Sequence, residues 1–98
     1  MALHIINKTD TTLWQLLQSA INPNDAVLLI EDAVYVALPT YPLPPGLFAL
    51  VPQLPCHVLA EDLAARGISA KIRPEFASAS YREFVALCLQ YERVVNWH

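Results

Sequence analysis

The chain contains few glycines, and its apolar residues form no long run. Its two glycines, Gly46 and Gly67, fall in neither a G-x-G-x-x-G nor a G-x-x-x-x-G-K motif, so the sequence does not support nucleotide phosphate binding. No apolar run approaches the roughly 18 residues that cross a bilayer. The apolar run at the start of the sequence is too short for a signal peptide, and its charge is wrong for one. We therefore expect a cytoplasmic chain with no membrane partner.

Charged residues are also scarce. They make up 15% of the chain, against 55% for apolar residues, whereas globular domains typically carry about 25% charged residues. The formal net charge is −3, and among the six basic residues only Lys71 and Arg73 lie close together, which disfavours direct nucleic-acid binding. Because a short chain has much surface, so few charges indicate an apolar surface that faces a partner. The alternative is a monomer with scattered apolar side chains on its surface.

The cysteines and histidines form no recognisable metal or disulfide motif. Cys56 and Cys88 are far apart, and His4, His57 and His98 include no i, i+4 pair. In the cytoplasm both thiols are expected to be reduced. The sequence thus predicts no metal and no cofactor.

Neither cysteine has the sequence context of a reactive thiol. A reactive cysteine needs a thiolate of low pKa, near a helix N-terminus or a positive charge. Cys56 opens a predicted strand at the amino edge of the sheet, and side-chain alternation puts His57 on the opposite face. Cys88 shares an apolar helix face with Tyr81, Phe84 and Val85, and burial there raises a thiol pKa. We expect both cysteines to be core residues, and a functional thiol at either position is the alternative.

A pattern that occurs twice predicts the fold. In residues 26–32 and 57–62 a short apolar run ends at a Glu-Asp pair, and a helix-compatible stretch follows each. Strands that are apolar at nearly every position are buried on both faces, as in parallel sheets. The spacing of about 30 residues is usual for a strand–helix–strand unit. We predict one small α/β domain over residues 1–98, with a mostly parallel sheet of about four or five strands flanked by helices on both faces.

The two acidic pairs, Glu31-Asp32 and Glu61-Asp62, are predicted at the carboxyl ends of strands, where open α/β sheets place their sites. Acidic residues favour the first turn of a helix because the helix dipole is positive there. Starting a helix is therefore a sufficient role for both pairs. Subunit contacts are the main alternative, since the sequence shows no pocket of the kind that catalytic carboxylates need.

Apolar periodicity and capping residues predict the remaining elements. Further strands are expected at Leu3–Ile6, Ala26–Ile30, Cys56–Ala60, Ile68–Arg73 and, at the edge, 94–97. Helices are expected at Thr12–Ile21, 33–38, Glu61–Arg66 and after Ser80. Capping boxes are predicted at Thr12 with Gln15 and at Ser80 with Glu83, and Gly67 is predicted as a left-handed C-cap.

Residues 39–55 are a proline-rich, apolar connection within the domain. They hold six of the chain's eight prolines, and such a composition is usually a solvated linker. The segment also carries apolar side chains, Leu47 and Phe48 among them, that would not be left in water. It is therefore expected to pack, either on its own domain or on a partner.

An ordered set of short motifs resembles one known family. The motifs are Leu3-His4 with Asn7-Lys8, LLIEDAVY at 28–35, VLAEDLAARG at 58–67, Tyr81 with Phe84-Val85, and Val95-Asn96-Trp97. Together they resemble the TusB/DsrH family of sulfur-relay proteins. The resemblance spans nearly the whole chain and leaves out only residues 39–55.

This resemblance implies a DsrE/DsrF/DsrH-like fold and a place in a hetero-hexamer that holds two copies each of three related subunits. The sister subunits would be TusC-like and TusD-like, or DsrF-like and DsrE-like. In that family the assembly accepts persulfide sulfur from a sulfur-carrier protein and passes it on. The sulfur-carrying cysteine lies on a sister subunit, TusD or DsrE. In the TusBCD branch the sulfur ends in 2-thiouridine at the wobble position of tRNA, and the DsrEFH branch serves sulfur oxidation.

One departure from the family bears on the branch. DsrH members of the oxidising branch carry a cysteine in the first helix, whereas Thr12–Ile21 contains none and Leu17 stands about where it would be. We therefore expect a non-catalytic TusB-like subunit rather than an enzyme. The alternatives are a DsrEFH-like subunit, a thiol carrier that uses Cys56 or Cys88, and a homo-oligomeric binding domain without sisters.

The candidate subunit contacts are mostly aromatic, because aromatic side chains concentrate binding energy at interfaces. Tyr35, Phe48 and Trp97 are the aromatic candidates, with core packing as the competing role for each. Leu47 and Arg66 complete the set. Arg66 is expected either to pair with acidic groups nearby or to face a sister subunit.

Overall fold

A computed structural model of the protein describes residues 1–42 and 54–97. Its strands are β1 Ala2–Ile6, β2 Ala26–Leu29, β3 Cys56–Leu59, β4 Ala77–Ala79 and β5 Arg93–Trp97. Its α-helices are α1 Thr11–Ala20, α2 Ala60–Ala65 and α3 Tyr81–Gln90, and a 3₁₀ helix covers Glu31–Ala37. Among these residues no helix is long and apolar enough to cross a bilayer. Leu47 and Phe48 lie outside the described residues.

The strands form one parallel sheet in the order β4-β3-β2-β1-β5. The predicted parallel α/β fold is therefore confirmed, and the closing segment forms an edge strand as expected. All residues of β1 and β2 are buried. Their nearly unbroken apolar sequence is explained by this position, because central strands of a parallel sheet are covered on both faces.

The two faces of the sheet are covered unequally. On one face α1, the 3₁₀ helix and α2 enclose the larger core, with Trp14, Leu17 and Leu63 almost fully buried. On the other face α3 packs through Phe84 and Leu87 on a smaller apolar cluster. The smaller cluster consists of Leu3, Ile5, Ala26 and Leu28.

The strand predicted at Ile68–Arg73 is wrong, because the fourth strand is Ala77–Ala79. The backbone N–H of Lys71 donates to Ile68 in a turn, and that of Arg73 donates to the carbonyl of Ala37 at 2.7 Å. These bonds tie the segment to the end of the 3₁₀ helix rather than to a neighbouring strand. The Arg73 guanidinium adds hydrogen bonds to the carbonyls of Leu38, Pro39 and Tyr41.

Two of the three predicted helix-end signals are confirmed. Ser80 and Glu83 form the capping box that starts α3, and Gly67 has a φ of 68°, the left-handed conformation that ends α2. The capping box predicted at Thr12 with Gln15 is wrong. Asp10 caps α1 instead, and its carboxylate accepts from the backbone N–H of Thr12 at 2.8 Å. Asp10 lies two residues before Thr12, so the helix begins earlier than predicted and the cap satisfies the free N–H of Thr12 itself.

Candidate functional site

The two acidic pairs meet at the carboxyl edge of the sheet, because β2 and β3 are parallel neighbours that end side by side. The carboxylate of Asp62 accepts a hydrogen bond from the backbone N–H of Glu31 at 2.6 Å. Each pair also occupies the first turn of its helix, as the sequence predicts. A side chain of one strand–helix unit thus fixes the backbone of the other.

Arg66 and Tyr35, two of the predicted contact residues, lie next to each other at this edge. The Arg66 guanidinium donates to Asp32 at 3.0 Å and lies 5.8 Å from the centre of the Tyr35 ring. The hydrogen bond to Asp32 raises the pKa of Arg66. Asp32 is 74% exposed and Tyr35 36% exposed, so the cluster presents a cation, a carboxylate and an aromatic ring to the outside.

Glu31 carries backbone strain at the centre of this edge. Its φ is +52°, and among the described non-glycine residues it alone has a positive φ. Such a left-handed conformation costs roughly 1 kcal/mol for a residue with a Cβ. The hydrogen bond from its N–H to Asp62 holds it there. Glu61 is also engaged, since its carboxylate accepts from the backbone N–H of Tyr81 at the start of α3.

Cys56 lies far from this edge. It opens β3 at the amino end, is 3% exposed, and belongs to the larger core. Burial raises the pKa of its thiol to about 12, so the thiolate needed for sulfur chemistry is not formed at neutral pH. His57 lies on the opposite face, as alternation requires. Burial lowers the pKa of His57, against the attraction of Glu83.

Cys88 is half-buried near the C-terminal end of α3, where it packs on the smaller apolar cluster. Burial raises the pKa of this thiol as well. The C-terminal end of a helix carries the negative end of the dipole, which does not stabilise a thiolate. Leu17, which stands about where the resemblance places the first-helix cysteine of the oxidising branch, is fully buried in the larger core.

A buried polar chain that the sequence analysis missed joins His4, Asp25 and Trp97. The Trp97 indole N–H donates to His4 Nδ1 at 3.0 Å, and His4 Nε2 lies 2.9 Å from an oxygen of Asp25. Because an indole nitrogen can only donate, His4 Nδ1 must accept, and His4 Nε2 carries the proton that it donates to Asp25. The arrangement therefore fixes one tautomer of His4. Trp97, predicted as a subunit contact, has its N–H committed to the inside of the domain.

Asp25 ties together three parts of the fold. Besides His4, it accepts from the backbone N–H of Ala2 at 2.8 Å and of Asn22 at 2.9 Å. Burial opposes its ionisation, but these three hydrogen bonds outweigh that effect and hold the pKa of Asp25 below its ordinary value. The one sequence signal for this chain is His4 itself, a polar residue within an otherwise apolar buried strand.

The clefts in the described part of the chain are small. One of about 150 Å³ lies where β1 and β5 end, lined by Lys8, Asp10, Thr12, Leu13, Leu16 and Trp97. This is the switch point of the sheet, since the connections from β1 and into β5 run on opposite faces. Sites for small organic ligands usually measure about 300–1,000 Å³. Residues 1–42 and 54–97 also contain no group of His, Cys, Asp or Glu that could hold a metal ion.

Comparison with known proteins identifies relatives over most of the chain. Residues 8–94 match the family described as DsrH like protein. A protein TusB from Sodalis glossinidius is 36% identical over 73 residues, which cover 74% of this chain and 75% of the relative. A protein TusB from Buchnera aphidicola is 28% identical over 96 residues, covering 97% of this chain and 99% of the relative.

Solved structures show the same fold. The ychN protein from E. coli matches with a TM-score of 0.77 and 18% identity, covering 98% of this chain and 97% of that one. A protein of unknown function from Methanobacterium thermoautotrophicum also has a TM-score of 0.77, with 12% identity and the same coverage. At these identities the likeness supports the fold alone.

Proposed function

This chain belongs to the DsrH-like protein family, and from that membership we propose that it is a non-catalytic subunit of a cytoplasmic persulfide sulfur relay. In this role it binds sister DsrE-like subunits in a hetero-hexamer and shapes the assembly around a cysteine that a sister carries. It holds no cofactor and does not bind nucleic acid directly. A sulfur-carrier protein reaches it only through the complex.

The state of the two cysteines is the observation that carries the non-catalytic role. Cys56 is buried with a thiol pKa of about 12, and burial also raises the pKa of Cys88. Among the described residues neither lies at a helix N-terminus, and burial, the one influence on either thiol pKa, does not activate a thiol. A persulfide on Cys56 would be inaccessible to a second protein, because transfer requires direct attack on its outer sulfur.

The carboxyl edge supports the partner-binding part of the proposal. Arg66 and Tyr35 are held in a fixed arrangement with Asp32, and all three reach the surface. Aromatic and arginine side chains of this kind supply much of the binding energy in protein interfaces. We assign this cluster to contact with a sister subunit.

The thiolation of the tRNA wobble uridine is the end point we propose, rather than sulfur oxidation. The relatives reported above are proteins named TusB, and α1 lacks the cysteine of the oxidising branch. With Leu17 fully buried, a thiol at that position of this chain would also be out of reach of a partner.

The test is a sulfur-transfer assay with a cysteine-free chain. Cys56→Ala and Cys88→Ala are combined, and the chain is co-expressed with DsrE-like proteins encoded beside it. Native mass spectrometry then measures assembly, and ³⁵S-labelled persulfide measures transfer to the relay's carrier. We expect a hetero-hexamer and unchanged transfer.

The matched control alters the sister's cysteine instead, which is expected to abolish transfer while the complex still forms. Loss of transfer in the cysteine-free chain, within an intact complex, would show that this subunit carries sulfur. A chain that stays a monomer or homodimer beside its neighbours would contradict the relay assignment as a whole.

A further inference from the structure

The outer side of α3 carries an apolar ridge that nothing in the described part of the chain covers. Tyr81, Val85 and Leu89 lie four residues apart and are 62%, 46% and 83% exposed. Residues at i, i+4 and i+8 form one straight row on a helix. The opposite side of α3 packs on the sheet through Phe84 and Leu87. The exposed row is here called the α3 ridge. It does not take part in the packing that holds α3 on the sheet.

The ridge lies on the thinly covered face of the sheet. The described helices α1 and α2 and the 3₁₀ helix all contribute to the core on the other face, which leaves α3 alone on this one. Val94 on β5 is also 39% exposed. It shares this face, because it pairs with Leu3, whose side chain belongs to the cluster under α3. The apolar surface thus continues past the helix onto the edge strand.

Opposite charges flank the two ends of the ridge. Arg82 is exposed at the start of α3 and Glu92 is exposed just after its end, and neither forms an ion pair within the described residues. The other charges nearby are engaged or turned away. Glu83 closes the capping box. Arg93 pairs with Ala2 in the sheet, so by alternation its side chain points to the opposite face.

From these observations we propose that the α3 ridge is a self-association surface that binds the same ridge of a second copy of this chain, in antiparallel orientation. A two-fold axis near the middle of the helix places the Arg82 end of one ridge beside the Glu92 end of the other. The same pairing recurs on the other side of the axis, as in every isologous contact. Antiparallel helix dipoles add to this preference.

The ridge suits such packing in shape as well as in charge. Rows of i±4 residues on two helices interdigitate at about −50°, the commonest helix–helix packing in globular proteins. One helix and a neighbouring strand residue offer less area than the roughly 800 Å² per partner of a standard stable interface. The isolated chain is therefore expected to dimerise weakly and reversibly. This inference does not depend on the sulfur-relay role.

A charge exchange tests the antiparallel pairing directly. Sedimentation velocity of the full chain over a concentration series gives the dimer dissociation constant for Arg82→Glu, for Glu92→Arg and for the double variant. Each single change is expected to weaken the dimer about threefold to tenfold, because each dimer contains the pair twice. The double variant is expected to return within about twofold of the original value, because the pairing is restored with reversed sign.

Two further variants separate the ridge from non-specific association. Leu89→Asp is expected to raise the dissociation constant more than about tenfold. Leu16→Asp, a change at an exposed leucine of α1 on the other face, is expected to leave it unchanged. Circular dichroism melts confirm that each variant is folded.

Three outcomes would overturn the proposal. They are a chain that stays monomeric at every concentration, a dimer that Leu89→Asp does not weaken more than Leu16→Asp, and a double variant that remains as weak as the single ones. Failure of this contact leaves the hetero-hexamer test unaffected, since that test depends on sister subunits.

Discussion

His4 Nε2 lies 2.9 Å from the carboxylate of Asp25, and the two side chains are only 3% and 2% exposed. A hydrogen-bonded His–Asp pair of this kind often indicates a catalytic base. Here Trp97 occupies the other ring nitrogen, so His4 has no nitrogen left for a substrate. The pair instead joins the start of β2 to the middle of β1.

Replacing Asp25 is expected to destabilise the fold strongly. Asp25→Ala leaves His4 and two backbone N–H groups without acceptors in a buried place, which costs about 3 kcal/mol or more. The matched control is Asp32→Ala, whose carboxylate is 74% exposed and whose loss should cost below about 1 kcal/mol. Urea unfolding followed by circular dichroism measures both. Equal losses in the two variants would refute the structural role of Asp25.

The same carboxylate predicts a pH dependence of stability. Its pKa is lowered in the folded protein, against about 3.9 in an unfolded chain. The stabilisation from Asp25 is therefore fully present above about pH 4 and is lost as the pH falls through the folded-state pKa. Unfolding free energies between about pH 2 and 7 are expected to fall more steeply on the acid side for the original chain than for Asp25→Asn. Parallel curves would contradict this assignment.

Glu31→Gly is expected to stabilise the protein or leave its stability unchanged, although glycine usually destabilises. The change relieves the strain of a φ of +52°, a gain of up to about 1 kcal/mol that glycine's extra freedom in the unfolded chain partly offsets. Glu31→Ala, which removes the same side chain but keeps a Cβ at this φ, is the control and should be about 1 kcal/mol less stable than Glu31→Gly. Thermal melts of the two variants measure this difference in stability. A Glu31→Gly protein destabilised as much as the control would show that this residue does not store strain.

Both cysteines are expected to react slowly with iodoacetamide in the folded protein at neutral pH. Cys56 is buried with a thiol pKa of about 12, and the pKa of half-buried Cys88 is raised too. Mass spectrometry of the alkylated chain should show Cys56 unmodified until denaturant is added, with slow labelling of Cys88. Labelling of Cys56 faster than a free cysteine would revive the sulfur-carrier alternative.

The sequence by itself determined those features that depend on residues close together along the chain. Nearly unbroken apolar runs identify β1, β2 and β3 as strands of a parallel sheet, since only burial on both faces accommodates them. The side chains of Ser80 and Glu83 start α3 by bonding their own backbone, and Gly67 ends α2 because its φ is positive. The sequence also places each acidic pair at the carboxyl end of a strand, whereas the meeting of the two pairs depends on β2 and β3 being neighbours in the sheet.

Only the tertiary structure decided the features that depend on residues far apart in the chain. His4 and Trp97 are 93 positions apart, and nothing local to either residue predicts their hydrogen bond. The segment before Phe76 has a strand-like sequence, yet Arg73 and the 3₁₀ helix hold it outside the sheet. The strained φ of Glu31 is accompanied by a hydrogen bond from its N–H to Asp62, which is 31 positions away in the chain. Periodicity also assigned Tyr81 and Val85 to one apolar face with Cys88, but α3 is rotated so that both are exposed. A helix's rotation on a sheet is set by the shape of the surface beneath it, which the order of residues within the helix does not contain.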